Sequence, residues 1–164
     1  METYRYCTPE WLQACAEGYD DHPEFRQSFA KLATKICFRV KAAPEWGLGE
    51  DIIFGAIMDK GDLRELAFYS ETDAAEMADF ILAATPHKWK EILRKEAKFV
   101  TEFMFGRIWL DQGSKVGVLS IASYADTFVA TLTQVGLQFP DEMSPEELEA
   151  YAAYQQEFRR ELGV

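Results

Sequence analysis

This chain is poor in the side chains that most often do chemistry: it has two histidines and three cysteines. Cys7, Cys15 and Cys37 are odd in number, and their spacing fits neither a zinc ribbon nor a Cys-x-x-Cys redox pair. They read as reduced, small, buried residues, since free cysteine packs like a small hydrophobe. His22 and His87 each adjoin a proline at a helix start, near Asp20 and Asp21 in one case and Lys88 in the other. An imidazole that shuttles protons or holds metal needs a partner at short range, so both read as surface residues. No Gly-x-Ser-x-Gly elbow, His-Glu-x-x-His helix, paired Cys-x-x-Cys or Asp-rich calcium loop occurs. Trp46-Gly47-Leu48-Gly49 lacks the third glycine and the following helix of a phosphate cradle, and reads as a mobile hairpin loop. The expectation is no catalytic residue, no metal and no cofactor.

Positive charge is also scarce. With 17 Lys and Arg against 28 Asp and Glu, the net charge of −11 repels a phosphate backbone, which excludes nucleic acid as a partner. No run of about 18 uncharged apolar residues is present, and Met1-Glu2-Thr3-Tyr4-Arg5-Tyr6 lacks a secretory core. Glu161-Leu162-Gly163-Val164 is no Ser-Lys-Leu address. These features predict a soluble, cytoplasmic protein.

What the chain has in quantity is apolar surface: 48% hydrophobic and 14% aromatic in 164 residues, enough for one well-filled core. Thr8-Pro9-Glu10 and His22-Pro23-Glu24 start two helices, with Trp11, Leu12, Cys15 and Tyr19 on one face of the first. From Lys35 the period changes to 2, so Ile36, Phe38 and Val40 form the dry side of a strand whose other side, Cys37, Arg39 and Lys41, is wet. Residues 51–59 and 63–69 flank Lys60-Gly61-Asp62, the turn of a hairpin. Ser70 to Glu76 reads as a polar surface connection. A strand over 78–84, a Thr85-Pro86 helix carrying Trp89, and a strand over 107–110 follow. One long helix from Ser114, stopped by Gly136, closes the core. Residues 137–143 read as a linker, and Ser144-Pro145-Glu146-Glu147 is a capping box that launches an amphipathic helix. The domain organisation is thus 1–136, a linker 137–143, and an appended helix over 144–164 that either folds back or pairs with a second copy.

Phe99, Phe103, Met104 and Phe105 fall within seven residues. With Ile81, Leu93, Ile108, Leu110, Leu119, Phe128 and Leu132 they could fill a core or line a cavity, and their clustering does not choose between the two.

The order Ala78-Asp79-Phe80-Ile81-Leu82, then Trp89-Lys90-Glu91-Ile92-Leu93, then Phe103-Met104-Phe105-Gly106-Arg107-Ile108-Trp109-Leu110, then a closing helix, resembles the sterol carrier protein-2 (SCP2) family. The resemblance spans Thr8 to Gly136. Asp111-Gln112-Gly113-Ser114 departs from the Gly-Asp that usually follows the last strand. The family implies an α+β fold: a mostly antiparallel five-stranded sheet covered by helices, with an apolar tunnel between the sheet and the last core helix. The helix after residue 144 is an addition to that pattern. The implied function is non-catalytic binding, with transfer, of a fatty acid, acyl-CoA or sterol-like ligand. The implied lining is Ile81, Leu93, Phe99, Phe103, Phe105, Ile108, Leu119, Ala122, Phe128 and Leu132; strand alternation lets only one of Phe80 and Ile81 face it.

Burying each ligand methylene contributes about 0.8 kcal/mol, so a chain of ~15 carbons offers roughly 12 kcal/mol before the costs of association. An exposed ion pair adds only ~0.2–1 kcal/mol. Between Pro86 and Arg107, Lys88, Lys90, Arg94, Lys95, Lys98 and Arg107 outnumber Glu91, Glu96 and Glu102. Lys88, Arg94, Lys95 and Lys98 are the expected rim, suited to an anionic head group or transient contact with an anionic membrane. The same residues also suit a solvated helix with pairs such as Glu91 and Lys95. Two rival readings are a dimerisation module with a collapsed cavity, built on the C-terminal helix, and an enzyme using Asp79, Asp111 or Glu102.

Overall fold

The computed structural model describes all residues, Met1–Val164. The period-2 stretch becomes β2 (Ala33–Val40), the central strand of a five-stranded sheet. Its antiparallel neighbour β3 (Ile52–Asp59) turns back into β4 (Asp62–Tyr69). Lys60 and Gly61 both have positive φ (51° and 93°), the backbone of a two-residue hairpin turn whose twist matches its strands. A Cβ on Gly61 would lie 2.7 Å from the Arg26 carbonyl oxygen, so both the turn and the space require glycine. On the other side of β2, β5 (Phe80–Ala84) runs parallel to it, and β6 (Trp109–Gln112) closes the edge antiparallel to β5.

Helices cover the sheet. The hydroxyl-plus-proline starts work as caps: Thr8 accepts from the Trp11 amide at the head of α1 (Pro9–Gly18), and α2 (Pro23–Ser28) follows. After β4 comes α3 (Glu71–Met77). Thr85 then caps α4 (Pro86–Leu93), which precedes α5 (Phe99–Met104).

Several elements differ from the sequence expectations. The closing helix is two, α6 (Lys115–Ile121) and α7 (Ala125–Leu132), separated by a tight turn over Ala122–Tyr124. The break lets Phe128 pack on Phe29 at 4.8 Å while Val118 stays in the core. Gly136 begins a strand, β7 (Gly136–Gln138), which pairs parallel to an unexpected β1 (Thr3–Arg5). Residues 137–143 are therefore no loose linker: Phe139 is fully buried, 4.8 Å from the Tyr6 ring.

Ser70 to Glu76 is not a bare connection. Ala74 of α3 and the adjoining Ala78 cover Cys37, Ile53 and Ile81, making a small second core on the back of the sheet. That face was expected to be wet; only two small alanines in an acidic segment signalled its cover. Arg39, 14% exposed, ties it down by donating to Glu71 at 2.8 Å and Asp111 at 2.7 Å, with Asp51 at 3.4 Å. The Trp46 loop is likewise anchored, with Trp46 buried and Ala43 bonded to Leu48.

The last helix, α8 (Pro145–Leu162), has the expected capping box, with Ser144 and Glu147 bonded reciprocally. It folds back onto the body. Tyr151, Gln155 and Phe158 are buried; the Tyr151 hydroxyl donates to the Tyr6 carbonyl, and Gln155 donates to that of Cys7 at 2.8 Å. No helix is long and apolar enough to cross a membrane.

Candidate functional site

Strand register builds the floor. Phe68, Phe54, Phe38, Leu82 and Leu110 stand abreast across all five strands, and alternation puts them on the face opposite Cys37 and Ile81. Above Phe38, Phe54 and Leu82, together with Ile36, lies a cavity of about 60 Å³. Its roof comes from α4 (Trp89, Ile92, Leu93), α5 (Phe99), α6 with the following turn (Val118, Ile121, Ala122) and α7 (Ala125, Phe128, Val129, Leu132). Tyr6 completes the wall, whose 16 residues are all hydrophobic.

Floor and roof differ in burial. The residues directly beneath the cavity, Ile36, Phe38, Phe54 and Leu82, are buried, as are Trp89, Ile92, Leu93, Val118 and Leu132 of the roof, whereas Phe99, Ile121, Ala122, Ala125, Phe128 and Val129 each keep partial exposure. The helices therefore cover the apolar floor without sealing it. A volume of 60 Å³ would hold about two waters, but an apolar wall offers them almost no hydrogen bonds. It is also well below the roughly 300–1,000 Å³ of sites for drug-sized ligands, so an open tunnel is not seen.

Of the ten lining residues expected from sequence, Leu93, Phe99, Ala122, Phe128 and Leu132 border the cavity. The other five lie elsewhere. Ile81 points to the back of the sheet under α3, and the neighbour that faces the cavity is Leu82. Phe80 does not line it either; its ring packs where Gly113 and Gly117 have no side chain. Phe103 stacks behind Phe99 at 5.8 Å, and Ile108 is buried in the core away from the space. Phe105 is 72% exposed just past the end of α5, with the Arg107 guanidinium over its ring. Leu119 is 40% exposed, because the helical phase that turns Val118 and Ile121 inward turns Leu119 outward. The floor and Tyr6 were missed. The alternation of Ile36 and Phe38 was a usable signal for the floor; nothing local marked Tyr6.

Of the expected cationic rim, Lys88 and Arg94 are neutralised by acids, and Lys95 and Lys98 are not. Lys88 pairs with Glu91 at 2.7 Å and Glu102 at 3.3 Å, and Arg107 also bonds Glu102. Arg94 reaches Glu142 at 2.9 Å, and Lys90 reaches Asp141 at 2.9 Å, so a distant segment brings acids to this helix. The Arg107 hydrogen bond, then that of Lys88, holds the Glu102 carboxyl below its usual range despite burial. Lys95 lies past the end of α4 in left-handed backbone (φ 61°), not on the helix where it would pair with Glu91. Lys98 sits exposed at the head of α5.

The carboxylates considered for chemistry are engaged structurally: Asp79 accepts from the Lys35 amide at 3.0 Å, Asp111 binds Arg39, and Glu102 is paired as above. All three cysteines are free and buried, and burial pushes each thiol up to about 12. His22 bonds Glu24 at 3.0 Å, and His87 lies 4.3 Å from the Trp46 ring. No cluster of three or more metal-ligating side chains occurs.

No protein-family model matches the chain, and a search of curated proteins returns no match. Solved structures do match. The solution structure of a conserved hypothetical protein from Thermus thermophilus, considered a candidate sterol carrier protein, superposes with a TM-score of 0.68 at 19% identity, over 80% of this chain and 90% of that one. A crystal structure of sterol carrier protein 2 gives 0.62 at 19% identity, over 77% and 93%. The apo form of sterol carrier protein 2 from Yarrowia lipolytica gives 0.52 at 12% identity, over 77% and 89%. The chain has the SCP2-like fold.

Proposed function

We propose that the protein binds a lipid-like molecule non-covalently in the cavity between the sheet and α4–α7, and acts as a carrier for it. The observation that carries this reading is the wall itself: an unbroken apolar floor beneath an incompletely packed apolar roof. A domain that needed only a core would interlock these side chains to crystal-like density. Solved structures that share the fold are named as sterol carrier proteins, which supports the same reading.

Loading a chain of ten or more carbons enlarges the cavity by moving the roof outward. The roof is suited to this, being four short helices, with α6 and α7 divided at Ala122–Tyr124. The driving force is water exclusion, about 0.8 kcal/mol per methylene buried. Affinity then rises with chain length and depends little on the neutralised cations at Lys88 and Arg94. Mass spectrometry of lipids co-purified with the protein, together with titrations with fatty acids, acyl-CoA and neutral lipids of graded length, tests this. Affinity that grows with chain length is expected; absence of binding across all three classes would overturn it.

A further inference from the structure

We infer that α5 is a hinged lid over the cavity, held shut by the ion pair of Glu102 with Lys88, and that its swing is the step by which ligand enters and leaves. This rests on the lipid-binding reading above and names the part of that site that moves. The other three roof helices are fastened to the body. In α4, Trp89 Nε1 donates to the Arg39 carbonyl at 2.9 Å, while Lys90 and Arg94 reach Asp141 and Glu142. In α7, the Leu132 carbonyl accepts from Trp11 Nε1 at 2.9 Å. α6 lies so close to β5 that a Cβ on Gly117 would come within 2.7 Å of the Phe80 ring. α5 has no such tie. It is six residues long, and no side chain caps its start at Lys98. Every backbone hydrogen bond of residues 98–105 closes within 98–108, so none joins α5 to another roof helix or to the sheet. Left-handed residues stand on both sides of it, Lys95 (φ 61°) and Gly106 (φ 77°). A Cβ on Gly106 would meet nothing within 4 Å, so this glycine serves the backbone conformation and not packing.

What holds α5 down is the packing of Phe99 and Phe103, stacked at 5.8 Å, and the carboxylate of Glu102. A buried glutamate is rare unless paired. Glu102 is buried, accepts from Arg107 just beyond α5, and lies 3.3 Å from Lys88 Nζ of α4. Of these two pairs only the one with Lys88 crosses to another helix. That pair is built to break: Lys88 keeps Glu91 at 2.7 Å, Arg107 is exposed, and Glu102 passes into water as α5 swings out. No charge is then left buried without a partner, which is what makes breaking most buried ion pairs so unfavourable. An apolar residue at position 102 would fix α5 at least as firmly and offer no such release. The swing withdraws Phe99 from the wall, on the side where the roof is already incompletely covered.

Stopped-flow fluorescence with cis-parinaric acid, on the full-length protein, E102Q and E91Q, tests this. A lid masks the path in both directions, so loosening it speeds entry and exit alike and leaves the equilibrium in place. E102Q is expected to raise the association and dissociation rates about 2- to 5-fold each, the worth of one such ion pair, with Kd unchanged within about twofold. E91Q removes the same charge close by but leaves Glu102 as the one carboxylate on Lys88, so its dissociation rate should be unchanged or slower. Unchanged rates in E102Q, faster association alone, or equal acceleration of dissociation in both variants would overturn the lid. Nitrogen-15 relaxation dispersion on ligand-free wild type supplies a reading that needs neither variant nor probe, and it decides should E102Q not fold. Exchange on the microsecond-to-millisecond scale is expected across 98–107 and not in α4 or α7. A flat profile across 98–107, or the same exchange in all three helices, would overturn the lid while leaving lipid binding intact. Failure of wild type to bind the probe would count against the lipid-binding reading, and the dispersion profile would then judge the lid by itself.

Discussion

Phe38 and Leu82 stand opposite one another in the parallel pairing of β2 and β5, and both side chains form the cavity floor. Leu82 is essentially fully buried, so it supports the roof as well as the sheet. Leu82→Ala should cost about 2–5 kcal/mol of stability, the range for deleting a buried leucine side chain. Urea unfolding measures this, and a loss under ~1 kcal/mol would mean the space above the floor collapses freely.

Ala125 lies on the opposite wall, half-buried on α7. Ala125→Leu places three more carbons in or beside a space of about 60 Å³. Stability should change by less than ~1.5 kcal/mol, since the added volume meets a void and not a packed interior. Binding of a long-chain lipid should fall at least ~10-fold. Undiminished binding by a folded variant would place the ligand elsewhere.

The Tyr151 side chain joins α8 to the body through the Tyr6 carbonyl and is fully buried. Tyr151→Ala should cost about 3–5 kcal/mol, as for other large buried aromatics. Thermal or urea unfolding checks this. Near-neutrality would show that α8 rests on the domain without supporting it.

Acid should weaken the Arg39 cluster. The Arg39 hydrogen bond holds the Glu71 carboxyl below its usual range; Asp51 is also lowered, where burial opposes but Lys41, the Ala42 amide and Arg39 prevail. Groups whose folded pKa is depressed contribute stability above their unfolded values, near 4, and lose it as pH falls through the folded values. Stability should therefore decline below about pH 4.5. Arg39→Met should cost roughly 1.5–3 kcal/mol at pH 7, the worth of a charge-assisted hydrogen bond, and flatten that decline. An unchanged acid limb in the variant would assign it to other carboxylates.

Local chemistry was legible in the sequence wherever it decided the structure. The Lys60-Gly61 hairpin, the caps at Thr8, Thr85 and Ser144, and the alternation of Ile36, Phe38 and Val40 all read directly. What failed were inferences from crowding along the chain. Phe103, Phe105 and Ile108 lie close in sequence to Phe99, yet a short helix and a turn send them to three different environments. Leu119 and Ile81 failed through phase, one position along a helix or strand from residues that do face the cavity. The pairing of Thr3 with Gly136, and the meeting of Arg94 with Glu142, are long-range, and no local pattern encodes them.

The most direct test of the account is intermolecular NOE spectroscopy on methyl-labelled protein loaded with a long-chain neutral lipid. The account predicts contacts from ligand methylenes to the methyls of Ile36, Leu82, Val118, Ile121, Val129 and Leu132, and none to Ile53 or Ile81 on the back of the sheet. Ligand contacts confined to the back face or to exposed side chains such as Val116, or none at any concentration, would contradict it.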